Sequence, residues 1–292
     1  MSKTNYSRKE FLKIAGMGTA ALAIPGFSLF ADSKYKASLG IQLYTVRHEI
    51  EKGFDDPVRK IAEIGYKGIE TYTLPENVTL EHAGKIFKEL GLKIFSMHSE
   101  LPVGKNWDKA LKMADAYDCD LVLYHGWSQD IKFATMDLTK CLVDTYNEIT
   151  ASLKTKGLRF GLHNHWWELE KTEYGIYPFY YLLENLNKDV VFEIDTYWAK
   201  SAGQDPAKVV SDFGKRVQLL HIKDGPAVLG DHQNDQVPAG EGTLDFPSIV
   251  KAGGENIKWM IVEFDEYEKD IFDGIKKSYD YLTKNNLAEG NV

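Results

Sequence analysis

The chain has 292 residues, 43% of them apolar and 27% charged, a composition that supplies a sizeable core and excludes intrinsic disorder as the main state. The formal net charge of −8 leaves no basic surplus to neutralise a phosphate backbone, which argues against nucleic acid as a partner. Two cysteines, Cys119 and Cys141, are too few for a disulfide scaffold and match no paired zinc spacing, so they read as two buried free thiols.

The amino terminus is set apart. Lys3, Arg8, Lys9 and Lys13 precede a small, apolar run from Ile14 to Phe30, interrupted by Pro25 and Gly26 and ending at Ala31. That order, positive then apolar then small, is the order of a secretory signal. The stretch Ser7-Arg8-Lys9-Glu10-Phe11-Leu12-Lys13 resembles the twin-arginine export signal with Lys9 in place of its second arginine, which leaves a Tat-like and a Sec route open. Residues 1–31 are thus expected to be a signal peptide and the protein to be exported to the periplasm. The broken run is a poor match to a span of about 20 strongly apolar residues, so no stable membrane anchor is expected after processing.

From residue 38 onward, short apolar or β-branched runs alternate with amphipathic helical stretches. The strand candidates are Leu39 to Tyr44, Gly68 to Tyr72, Leu92 to Met97, Leu121 to His125, Arg159 to His163, Val190 to Asp195, Val217 to Ile222 and Trp259 to Phe264. Helix patterns include Thr79 to Leu90, closed by Gly91, and Thr135 to Lys156, closed by Gly157. Asp55-Asp56-Pro57 and Asp205-Pro206 each offer an N-cap carboxylate with proline in the first turn. Eight βα units between residues 38 and 285 fit the usual length of about 250 residues for an α/β fold of the (β/α)8 TIM barrel type, in a single domain. An open doubly wound sheet would carry a GxGxxG fingerprint after the first strand, and none follows Tyr44.

A barrel places its active site at the carboxyl ends of its strands. Of eight histidines, His98, His125, His163, His165 and His221 fall there, with Glu70, Asp195 and Glu263. Imidazoles and carboxylates without cysteine suit a hard or borderline divalent ion, with an open position completed by water. Asp195, His221 and Glu263 are the best-placed ligands, with Asp265 an alternative to Glu263. Glu70, His98 and His125 are divided between ligand, substrate-binding and hydrogen-bonding roles, and Glu193 reads as an interior partner of Asp195. Lys223 is either an oxyanion stabiliser or a solvated cation paired with Asp224. Trp127, Trp166, Trp167 and Trp198, with Tyr44, Tyr72 and Tyr197, lie in the strand-end loops, where aromatic faces can pack against a sugar ring. Apart from Arg47 these loops are poor in arginine and lack a glycine-rich anion nest, which favours an uncharged sugar over a sugar phosphate.

Four motifs in order on strands five to eight carry a family likeness. His163-Asn164-His165-Trp166-Trp167-Glu168, Asp195-Thr196-Tyr197-Trp198 with Gly203-Gln204-Asp205-Pro206, His221-Ile222-Lys223-Asp224, and Gly240-Glu241-Gly242-Thr243-Leu244-Asp245-Phe246 resemble the xylose-isomerase-like superfamily of sugar phosphate isomerases and epimerases over residues 38 to 285. The resemblance implies a TIM barrel with one divalent metal, commonly Mn2+ with Mg2+, Co2+ or Zn2+ as alternatives. It implies ligands at His163, Asp195, His221 and Glu263, and a small carbohydrate substrate contacted by Glu70, His98, His125, Glu168 and Trp198. Catalytic roles fall to Glu263, His165 and Lys223, acting through an enediolate. The superfamily's 3-epimerases carry glutamate where His163 stands, so three outcomes are open: a metal-dependent sugar isomerase or epimerase first, a lyase or hydratase of 3-keto-glycosides or related keto-sugars second, and a non-catalytic carbohydrate-binding barrel third.

Overall fold

The computed structural model describes residues 36–126, 133 and 135–291; the segment read as a signal peptide and Trp127 lie outside these residues. Eight strands run in parallel order: β1 Ala37–Gln42, β2 Gly68–Thr71, β3 Lys93–Ser99, β4 Leu121–Tyr124, β5 Arg159–His163, β6 Val191–Asp195, β7 Val217–Ile222 and β8 Trp259–Val262. Closure occurs at β1, where Gly40 sits opposite Gly68 of β2 on one side and Ile261 of β8 on the other. A short ninth strand, β9 Ala288–Glu289, adds in parallel to the start of β1. The expected (β/α)8 architecture is therefore present in one domain. Among the described residues no helix is long and apolar enough to cross a membrane.

Two-residue alternation along each strand divides its side chains between two cores. Leu39, Ile41, Phe160, Leu162, Phe192, Ile194, Leu220 and Val262 join the large cluster shared with the helices, while Phe95, Leu121, Leu123, Val191, Leu219 and Ile261 form a separate cluster inside the barrel with Trp259. Phe95 and Trp259 stack at 4.1 Å between ring centroids. Glycines make that stack possible. A Cβ at Gly40 would stand 2.5 Å from the Phe95 ring, and one at Gly68 would stand 2.9 Å from both rings. The two aromatic rings form an apolar plug, above which the inward positions become polar.

Helix starts follow the sequence signals at most sites. Thr79 accepts from His82 N ahead of helix Leu80–Glu89, Thr135 accepts from Leu138 N ahead of helix Met136–Lys154, and Asp205 accepts from Ala207 N and Lys208 N ahead of helix Pro206–Phe213. The device expected at Asp55-Asp56-Pro57 is different. Helix Asp55–Ile64 begins at Asp55 with no side-chain cap, because the Asp55 carboxylate is taken by His82 Nε2 at 2.7 Å. The first strand stops at Gln42, two residues earlier than expected, since Gln42 Oε1 accepts from Tyr44 N and turns Leu43–Val46 into a 3-10 helix. Cys119 is buried as expected, but Cys141 is exposed on the solvent face of helix Met136–Lys154.

At the amino-terminal end of the barrel, Arg159 grips Asp120 through Nε at 2.7 Å and Nη2 at 2.9 Å, and its Nη1 donates to Gln218 Oε1 at 3.0 Å. These hydrogen bonds hold the Asp120 carboxyl below its usual range. A depressed folded-state value means the pair's contribution is present above the ordinary carboxylate range and is lost as pH falls through the folded value. Asp120→Asn is expected to cost about 0.5–1 kcal/mol at neutral pH, given the partial exposure of both side chains, with the gap from the parent closing below about pH 4 in urea titrations. Gly40→Val, which drives a side chain into the Phe95–Trp259 stack, is expected to cost about 1–3 kcal/mol in the same measurement.

Candidate active site

Above the plug, inward side chains from six strands meet in a buried ionic network. Glu70 of β2 receives Gln42 Nε2 at 2.8 Å and His221 Nε2 at 2.7 Å on Oε1, and Ser96 Oγ at 2.5 Å on Oε2. Glu193 of β6 gathers His98 Nε2 at 2.8 Å, His163 Nδ1 at 3.0 Å and His221 Nε2 at 3.1 Å around Oε2. The Nε2–H of His98 is shared with Glu70 Oε1 at 3.0 Å. Glu70, Glu193 and His221 have no exposed surface. Charge buried in this way is tolerable only when paired and hydrogen-bonded.

A second layer lies nearer the mouth. His221 Nδ1 points away from the network and stands 2.5 Å from Glu263 Oε2 and 3.7 Å from Asp195 Oδ2. Lys223 Nζ completes the group at 3.1 Å from Asp195 Oδ2, 3.0 Å from Glu263 Oε2 and 2.8 Å from Asp265 Oδ2, and lies 5.4 Å over the Trp198 ring. Asp195 is fixed from the other side, with Oδ1 accepting from Trp198 N and its own N–H donating to Asn164 Oδ1.

The protonation preferences follow from this packing. Burial resists charge on His98, but Glu70 and Glu193 outweigh it and raise the imidazole to about 9. Burial likewise opposes charge on His221, and Glu193, Glu263 and Glu70 together raise it well above the ordinary range. Burial and the neighbouring Glu70 charge push Glu193 up to about 8, whereas His98 and His221 overcome burial at Glu70 and hold it well below the usual range. Asp195 and Glu263 are lowered because Lys223 and His221 override desolvation. Burial lowers His165 to about 3, with Lys223 adding to the effect, and lowers His125 to about 3, with His98 adding. His163 is also held neutral, chiefly by burial.

The residues singled out by sequence thus fall into groups. Asp195, His221, Glu263 and Lys223 come together. His163 belongs instead with His98, Glu193 and His221, its Nδ1 committed to Glu193. Glu70 and His98 lie in the buried network, Glu70 bonded to His221 and His98 to Glu193. His165 stacks on Trp167 at 4.2 Å, and Glu168 Oε2 accepts the His165 backbone N–H at 2.8 Å, so Glu168 shapes the loop after β5. His125 lies beside His98 at 6.2 Å between ring centroids. Trp166 packs between Trp167 and Trp198, while Tyr44 and Tyr72 meet edge to face on the β1 and β2 side. The donors of Arg47 are engaged by Tyr44 O, Asp265 O and Glu266, which makes it a structural residue.

Two expectations change. Lys223 is not a solvated partner of Asp224; it is buried among Asp195, Glu263 and Asp265, and Asp224 has another task. The Asp224 carboxylate accepts from the backbone N–H groups of Gly225, Gly240, Gly242 and Leu244, folding the long loop after β7 around itself. Any Cβ at Gly242 would collide with that carboxylate, which explains the Gly240-Glu241-Gly242 motif as loop architecture. The same loop delivers Gln236, whose Nε2 donates to Asp265 Oδ2 and whose Oε1 accepts from Asp265 N, both at 2.7 Å. Sequence reasoning missed Gln42, Ser96 and Gln236; for the first two the available signal was a polar side chain inside a strand of mostly apolar and small residues.

The fit to a cation can be judged from the atoms themselves. Asp195 Oδ2, His221 Nδ1 and Glu263 Oε2 are buried and lie within 4.8 Å of one another, with Lys223 Nζ at 3.1 Å and 3.0 Å from the two carboxylate oxygens. One imidazole nitrogen and two carboxylate oxygens are a donor set for a hard or borderline divalent ion. A cavity of about 620 Å³ opens at the opposite end of the barrel beside Asp120 and Arg159, which neutralise each other.

A closed barrel with carboxylates and imidazoles converging at its carboxyl-terminal mouth defines the class of metal-competent (β/α)8 proteins. The model of the xylose isomerase-like TIM barrel family matches residues 58–285, and the chain belongs to that family. It is similar to a sugar phosphate isomerase/epimerase from Parabacteroides distasonis, with 23% identity, a TM-score of 0.74, and coverage of 91% of this chain and 100% of that one. A probable 3-DHS dehydratase from Bacillus anthracis, involved in petrobactin synthesis, aligns at 17% identity and TM-score 0.65 over 85% of this chain and 99% of its own. The IOLI protein, solved with a zinc atom, aligns at 14% identity and TM-score 0.66 over 85% of this chain and 97% of its own. A search among curated proteins gives no match.

Asp224→Ala removes a charged acceptor from four backbone donors at once. The expected result is a loss of about 2–4 kcal/mol and faster amide exchange at Gly240, Gly242 and Leu244, read by hydrogen exchange, with the barrel strands still protected.

Proposed function

We propose that the protein is a divalent-metal-dependent sugar isomerase or epimerase that removes a proton beside the carbonyl of an uncharged keto-sugar. The observation that supports this reading most strongly is the convergence of three buried ligand atoms, Asp195 Oδ2, His221 Nδ1 and Glu263 Oε2, within 4.8 Å of one another at the barrel mouth. Those residues would hold the cation, Mn2+ first among the candidates, whose positive charge lowers the cost of the oxyanion that develops on the substrate.

The chain's own groups supply the rest. Glu263, kept ionised chiefly by Lys223 against the opposing effect of burial, accepts the proton from the carbon next to the carbonyl. Lys223 places a fixed ammonium among the carboxylates, where it faces the negative oxygen as the enediolate forms. His165 stands after β5, across the mouth from β8, and is the second group available for proton transfer. Tyr44 with Tyr72, and Trp166 with Trp198, furnish aromatic surfaces for a sugar ring. With Arg47 already engaged, the ionisable groups around Lys223 are carboxylates, which disfavours a phosphorylated substrate. Export directed by residues 1–31 would place the enzyme in the periplasm, where an uncharged sugar or glycoside is the matching substrate class.

One observation favours a second reading. The strand-five position holds His163 with Nδ1 tied to Glu193, so a pair of glutamates flanking the substrate is absent there. Expulsion of a β-substituent, with neutral His165 taking the proton from the carbon and passing it to the leaving oxygen, would make the protein a lyase or hydratase of 3-keto-glycosides.

Metal-loaded protein incubated with keto-sugars and 3-keto-glycosides in deuterated water separates these readings by mass. An isomer carrying solvent deuterium is expected; loss of water or of the aglycone would transfer the assignment to elimination, and binding with no turnover would leave a carbohydrate-binding barrel. Glu263→Gln should lower kcat by about 10²–10⁴-fold, and chelation followed by Mn2+ addition should remove and restore activity in the parent.

A further inference from the structure

Glu70 comes from β2 and His221 from β7, 151 residues apart in sequence, yet they share a 2.7 Å hydrogen bond inside the barrel. The bond has a direction. Glu70 Oε1 also receives Gln42 Nε2 and Oε2 receives Ser96 Oγ, so the carboxylate is ringed by donors and stands as the acceptor of the His221 Nε2–H. When a cation displaces the proton from Nδ1, the imidazole keeps its hydrogen on Nε2 and offers the Nδ1 lone pair, on the nitrogen that faces Asp195 and Glu263. Glu70 is itself immobilised from two sides, by Gln42 Nε2 on one oxygen and Ser96 Oγ on the other. Neither its oxygens nor its stem is exposed, so no ligand in the mouth can touch it.

From this geometry we infer that Glu70 is a positioning residue: by holding the Nε2–H of His221 it fixes the ring so that Nδ1 is the nitrogen offered with Asp195 and Glu263 to a divalent cation. Glu193 lies 3.1 Å from the same nitrogen and reinforces the arrangement. The inference rests on the metal-site reading above and deepens it, assigning Glu70 an action through His221 in place of a substrate contact. Carboxylate partners of a ligating imidazole commonly alter metal affinity by about 10–100-fold when removed, because they set both orientation and basicity.

The test is zinc affinity of the full chain, measured by competition with a chromophoric chelator, together with imidazole 15N spectra of the zinc-loaded protein. Glu70→Gln keeps the size of the side chain and removes its charge, and is expected to weaken zinc binding by about 10–100-fold. In the parent the His221 proton should reside on Nε2. Should Glu70→Gln fail to fold, Ser96→Ala frees one Glu70 oxygen and is expected to weaken zinc binding by more than about twofold. A folded Glu70→Gln or Ser96→Ala protein with parental zinc affinity, or a His221 proton on Nδ1 in the zinc-loaded parent, overturns the inference. A purely structural role would lower the thermal midpoint while leaving zinc affinity and the Nε2 proton unmoved. Asp195→Ala separates the two levels of the claim. Unchanged affinity in that variant, or no zinc binding by the parent, defeats the metal-site reading itself, whereas loss in Asp195→Ala with none in Glu70→Gln defeats only the role of Glu70.

Discussion

Burying two carboxylates and three imidazoles inside a barrel is the constraint around which the rest of the molecule is arranged. Glu70, Glu193, His98, His163 and His221 are almost wholly withdrawn from water, and each would be strongly destabilising if left unpaired. Removing one partner from such a network typically costs about 3–5 kcal/mol, because the remaining charge is stranded. The apolar stack of Phe95 and Trp259 closes the floor beneath, Ser96 satisfies the Glu70 oxygen that the imidazoles do not reach, and Gln42 adds a donor to the one they share. His221 is the hinge between the buried layer and the mouth, since its two ring nitrogens face opposite ways.

The mouth inherits its geometry from that hinge. Asp195 and Glu263 approach His221 Nδ1 from the neighbouring strands, and Lys223 balances their charge. Around them the long loop after β7 is folded on the Asp224 carboxylate, which brings Gln236 to Asp265 and Asp265 to Lys223. The position of one ammonium group is thus linked to glycines nearly twenty residues further along the chain. The glycines of the loop motif serve backbone approach to Asp224, and the chemistry belongs to the strand ends.

Much of this was legible in the sequence because barrel strands write their alternation plainly. The run ending in Asp195 and the one ending in His221 announced inward-facing polar residues at the right depth, and the motifs on strands five to eight pointed to the family now matched by its model. What escaped was pairing across the barrel. Nothing local in Gly-Ile-Glu-Thr says that Glu70 will meet His221 five strands away, and a lysine followed by aspartate looks like a surface ion pair until burial redirects both. Asp55 failed as a cap for a similar reason, since a tertiary partner, His82, outbid the helix end. Cys141 fell on the outer face of its helix, where sequence composition alone gives a thiol no direction.

The central claim is that His221 turns one nitrogen to the buried carboxylates and the other to a cation shared with Asp195 and Glu263. Anomalous diffraction at the manganese edge, on crystals of the full chain soaked in Mn2+, addresses it directly. The account predicts a single strong peak in contact with His221 Nδ1, Asp195 and Glu263. A peak lodged instead among His98, His163 and Glu193, or none at the mouth at saturating Mn2+, would contradict it.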